Sequence, residues 1–177
     1  MHLSILLTVV LALQAAGVLQ TEPAPDLRHV IRDDAELASA EISYRVDGQL
    51  IAVRGDGSVF IQSTRPQLPL LLTCKGKVVS ADIRRLLETM LSAQFLYLPQ
   101  KSYMMLNGDE SDWRKLQLHS ISIKVAGRSA KRDFAAGEYS DEHQEIPEKF
   151  TTIEKAIVEL KSKAILSGTQ CTVAPPL

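Results

Sequence analysis

Residues 80–98, SADIRRLLETMLSAQFLYL, decide the fold. Ile83, Leu86, Leu87, Met90 and Leu91 recur at i, i+3, i+4, i+7 and i+8, which lines them up on one side of a 3.6-residue helix, while Arg84, Arg85, Glu88 and Thr89 face water. Such a stripe is stable only when it is buried against another layer. Ser80 is the expected N-cap, and Asp82 sets negative charge at the positive end of the helix dipole. Pro99 forbids continuation, and Phe95, Leu96 and Leu98 carry the apolar surface past the helix end into the same core.

Upstream of this helix the apolar period is two. Ile42, Tyr44 and Val46 alternate with polar residues and run into Asp47-Gly48, a strong hairpin signal. LIAVR at 50–54 and SVFIQS at 58–63 flank Gly55-Asp56-Gly57, whose two glycines tolerate the positive φ of a tight connection. LLLTC at 70–74 is a candidate further strand of this meander.

Downstream, alternation returns with His119, Ile121, Ile123 and Val125 on one face. Leu116 and Leu118 are out of phase, so either a bulge near 118–119 or a later strand start is expected. Ala126-Gly127-Arg128 turns the chain into a partner strand, SAKRDFAA. A last helix opens at Pro147, with Ile146, Phe150, Ile153, Ile157, Leu160 and Ala164 at helical spacing and Lys and Glu on the other side, and it ends at Gly168. The expected class is α+β: an antiparallel sheet, built of a β-meander plus a β-hairpin, with two helices packed on one face.

The ends of the chain read differently. Residues 1–20 carry no Lys, Arg, Asp or Glu, and their apolar run is short for a bilayer span. We read residues 1–17 as a signal peptide cleaved after Gly17, with a retained anchor as the alternative. Residues 18–40 read as a linker with one or two helical turns, 41–166 as a single domain, and 167–177 as a tail. The expected location is exported, periplasmic or secreted, with no stable membrane insertion after cleavage. Cys74 and Cys171 are the only cysteines, and in an oxidising compartment they are expected to be joined; a buried Cys74 with a loose Cys171 is the alternative.

The function classes narrow by exclusion. The formal charge is −1 and the basic residues are thinly spread, which argues against a nucleic-acid partner. There is no Gly-x-Ser-x-Gly, P-loop or His-Glu-x-x-His pattern, and no cofactor is expected. His29 with Asp33 and Asp34, and Asp141, Glu142 and His143, read as solvated polar groups rather than metal sites, and His119 as a satisfied core or edge histidine. The acidic cluster Asp109, Glu110 and Asp112 reads as a solvated turn.

The loop between the two halves is the most informative for recognition. It gathers Tyr97, Tyr103, Met104, Met105, Leu106 and Trp113, with Arg114 and Lys115 beside the tryptophan, residue types enriched at interfaces. Tyr103, Met104, Met105, Trp113 and Arg114 are the candidate binding residues, the alternative being a loop folded onto the sheet as a lid. The expected function is a non-enzymatic binding or accessory domain whose partner is a protein or an envelope component, met by this loop and the exposed face of the sheet. An envelope hydrolase or inhibitor-like module built on Asp109, Asp112 and His119 is the alternative.

The pattern Asp56-Gly57-Ser58-Val59-Phe60, followed by Leu86, Leu87, Phe95 and Leu98 in a helix of the form L-L-x7-F-x2-L, resembles a bacterial family of exported domains of unknown function, DUF6438. Tyr103, Asp109 or Asp112, Gly127 and Pro147 fill further places of that pattern, which spans about residues 40–165. Many relatives look to carry a Cys-x-x-Cys-Pro-like segment ahead of the Asp-Gly strand, whereas residues 47–51 here hold no cysteine. The resemblance implies export and a fold, and no activity.

Overall fold

The computed structural model describes residues 24–65, 68–99, 117–139, 142–144 and 146–174. Two short helices, α1 (Leu27–Arg32) and α2 (Asp34–Ser39), lead into strands β1 (Glu41–Val46), β2 (Gln49–Arg54), β3 (Ser58–Arg65) and β4 (Leu68–Lys77). Helix α3 (Ser80–Ser92) and a 3-10 turn at Phe95–Tyr97 follow. Then come β5 (Gln117–Val125), β6 (Arg128–Tyr139), β7 (Glu142–Gln144), α4 (Glu148–Leu166) and β8 (Gln170–Ala174).

All strand pairs are antiparallel, in the spatial order β7-β6-β5-β1-β2-β3-β4-β8. The first four strands are a meander and β5 to β7 a second one. They join where β5 lies along the free edge of β1, with Ile42 opposite Ile123 and Tyr44 opposite Ile121. The expected α+β class, with helices on one face of an antiparallel sheet, is the class observed.

That face is the core. Ile42, Tyr44, Ile51, Val53, Val59 and Ile61 meet Ile121, Ile123, Val125 and Phe134 beneath the stripe of α3, Ile83, Leu86, Leu87 and Met90, and that of α4. Burying side chains of this size contributes roughly 1.5–3 kcal/mol each. Phe95 is fully buried beyond the helix end and Leu98 nearly so, as the run through Pro99 predicted. Phe134 and Phe150 pack edge to face with centroids 4.7 Å apart, pinning α4 to β6. Lys163 of α4 bonds Asp82 of α3 at 3.0 Å.

Several local expectations need correction. Residues 27–40 are not linker: Leu27, Val30, Leu37 and Ala40 are buried in the core, and Asp26 and Asp33 cap the two helices through backbone N–H groups. Arg84 of α3 holds this segment down through the Ile31 carbonyl and Asp34. Ser80 is the first helical residue rather than the cap, and Val79 occupies the cap position with no side-chain bond. Of the two alternatives near Leu118 the bulge does not occur: β5 is described from Gln117, pairs in unbroken register with both neighbours, and turns Leu118 to the open face at 50% exposure. Residues 170–174 of the supposed tail are a strand, joined to β4 by the Cys74–Cys171 disulfide.

The turns follow their glycines, with one difference. Asp47 and Gly48 have φ of 42° and 70°, and Ala126 and Gly127 of 47° and 79°, the positive pair that a two-residue hairpin needs. Gly57 has φ 89°, whereas Gly55 is required for space: a Cβ there would sit 1.5 Å from the Leu37 carbonyl oxygen, because the Gly55 N–H donates to the Ala40 carbonyl at 2.8 Å. Gly55→Ala must push α2 off the sheet, with an expected loss of about 2–3 kcal/mol measured by urea unfolding.

Candidate functional site

Two places bring polar chemistry together. The first lies at the edge of the core. His119 on β5 faces the helices, and its Nδ1 lies 2.5 Å from Oε1 of Glu154 on α4. Tyr44 on β1 closes the group, its hydroxyl 3.2 Å from the same nitrogen. Gln117 Oε1 lies 3.2 Å from Nε2, and the Gln117 amide nitrogen bonds the Asp47 carboxylate. That last bond fixes the amide, so its oxygen faces the ring. Glu154 and the Gln117 amide oxygen thus bracket the imidazole, one at each ring nitrogen. The Tyr44 hydroxyl donates to Glu154 as well. Burial, and then the Glu154 charge, pushes its phenol well above the ordinary range.

This cluster is satisfied and largely sealed: His119 is 9% exposed and Glu154 8%. Both ring nitrogens have partners within the protein, so the imidazole is held in place between β1, β5 and α4. The satisfied-histidine expectation for His119 fits this arrangement. Its proposed hydrolase companions Asp109 and Asp112 lie outside the described residues. Sequence reasoning missed Glu154 by assigning every Glu of the last helix to its solvent side. The signal was present, since position 154 falls four after Phe150 and three before Ile157, within the buried stripe.

The second place is the sheet face turned away from the helices. Leu50 and Ala52 of β2 and Phe60 of β3 lie half-buried in a concavity of about 870 Å³, with Arg54, Lys75 and Lys77 along its wall. The register explains the grouping: Ala52 is opposite Phe60 and Phe60 opposite Lys75, while Ser58 is opposite Lys77. Glu41 of β1 accepts from Arg54 at 3.2 Å. The last turn of the chain, through Ser167, Gly168 and Gln170, forms the far rim.

The loop candidates Tyr103, Met104, Met105, Trp113 and Arg114, together with Leu106, Glu110 and Lys115, lie outside the described residues, and so does Asp141. Tyr97, at the loop's start, is described and is 87% exposed. His29 approaches Asp33 at 4.0 Å and Glu36 at 3.6 Å on the surface, and no group of three or more metal-ligating side chains occurs among the described residues. No described helix is long and apolar enough to cross a membrane.

Fold and geometry together define an α+β domain with a closed polar core cluster and an open, concave sheet face. No family model, no curated protein and no solved structure matches the chain.

Proposed function

We propose that this chain is an exported, non-enzymatic binding module that docks a protein or envelope component on the open face of its sheet. The observation that carries the reading is the concave floor of Leu50, Ala52 and Phe60, apolar side chains at the centre of a sheet that no described helix covers. A half-buried aromatic among aliphatic neighbours, ringed by charge, is the composition of an interface centre and its rim. Export is supported by the uncharged, apolar residues 1–17 and by a cross-strand disulfide, which persists in oxidising compartments. Membership of the DUF6438 family belongs to the same proposal.

The test is crosslinking of the tagged mature protein in its native envelope. A partner enriched over an unrelated exported control should fall at least tenfold with Phe60→Glu, whose side chain points away from the core and should leave the circular dichroism spectrum unchanged. An unchanged yield from that variant would refute docking on this face.

A further inference from the structure

The same concavity has a chemistry of its own, and we infer that its occupant is an acidic, extended peptide segment carrying apolar side chains at alternate positions. The inference rests on the docking reading and names the class of partner. Three cations, Arg54, Lys75 and Lys77, line the concavity against a single carboxylate, Glu41. Arg54 is already held by Glu41, so the surplus charge belongs to the two lysines. Both are exposed, and they stand two residues apart on β4, on the same face of one strand. Asp56 is near enough to feel Lys77, but its carboxylate accepts from the Ser58 N–H at 2.8 Å and is committed to the β2–β3 turn. A local positive surplus on a chain of net charge −1 selects an anionic partner and repels a basic one.

Shape separates a peptide from a lipid. A long acyl chain needs an enclosed apolar tunnel, and here three apolar side chains form the floor of a concavity open to solvent. The rim groups Ser58 and Gln170 are neutral donors and acceptors suited to a peptide backbone, while the Ser167 hydroxyl donates within the chain and can only accept. An extended segment repeats its side chains every second residue, about 6.6–6.8 Å apart. That period matches Lys75 and Lys77, so carboxylates on one side of the segment meet the lysines while the intervening apolar side chains seat on Phe60 and Leu50.

The experiment uses the mature protein and a fluorescein-labelled decapeptide alternating Glu with Leu, read by anisotropy, beside versions with Gln or Lys in place of Glu. The Glu peptide should bind at least tenfold more tightly than the Gln peptide, and the Lys peptide should not bind. K75Q/K77Q should cut affinity for the Glu peptide about tenfold and flatten its salt dependence, and Phe60→Ser should abolish it. Equal affinity for the Glu and Gln peptides, or full affinity in K75Q/K77Q, overturns the inference. If Phe60→Ser still abolishes binding in that case, the docking face stands; if it has no effect, that reading falls too. Displacement of the peptide by micromolar dodecanoate that itself depends on both lysines would assign the site to a lipid and equally overturn the inference.

Discussion

Replacing Glu154 with Ala should destabilise the protein by about 2–5 kcal/mol, since each buried polar group left without its partner costs roughly 1–3 kcal/mol. The loss is large because the carboxylate accepts from two elements at once, His119 on β5 and Tyr44 on β1, and both are left in a core that offers no replacement. Equilibrium unfolding in urea measures it, and a loss under 1 kcal/mol would contradict the assignment of this cluster. Glu154→Gln keeps the shape and gives a second readout. Tyr44 ionises above the ordinary phenol range, so its contribution is fully present below the unfolded value and is lost as pH rises toward the folded one. Burial is the larger cause and the Glu154 charge the next. The 295 nm alkaline titration of Glu154→Gln should therefore show Tyr44 ionising earlier than in the wild type, yet still later than an exposed tyrosine.

Breaking the Cys74–Cys171 bond is the second change of this size. The sequence separation is 97 residues, and chain entropy assigns a loop of that length about 4–5 kcal/mol. The structural consequence should be local first. All of β8 is solvent-exposed and its ladder partner among the described strands is β4 alone, whereas Cys74 is 6% exposed and fixed in the sheet. Cys171→Ser should lower the urea midpoint and make residues 170–174 exchange amide hydrogens nearly freely, while β1 and β5 keep their protection. Protection of β8 retained in full would mean that its backbone ladder, and not the disulfide, holds the C-terminal strand.

What the sequence made legible follows from how the physics repeats along it. Helices α3 and α4 announce themselves because thirteen and nineteen residues give a 3.6-residue period room to recur. Asp47-Gly48 and Gly127 mark their hairpins because positive φ leaves few residue choices. Helices α1 and α2, at six residues each, are too short for any period, and only their Asp caps mark them. The joining of β5 to β1 brings together Tyr44 and Ile121, far apart in sequence, which local pattern does not encode.

Part of the candidate site's geometry was legible. The exposed sheet face was expected as a recognition surface, but its concavity arises from register, which brings Ala52, Phe60 and Lys75 side by side from three strands. Glu154 was hidden by its charge. A carboxylate in an apolar stripe reads as surface until a partner such as His119 is placed opposite it.

The most direct test of the proposed docking surface is a photo-crosslinking residue placed at Gln62, on the open face beside Leu50, compared with one at Lys155 on the outer side of α4, in the proposed native envelope. The account predicts one adduct from position 62, of defined mass and competed by excess untagged protein, and none from position 155. Adducts from position 155 alone, or equal yields from both, would contradict it.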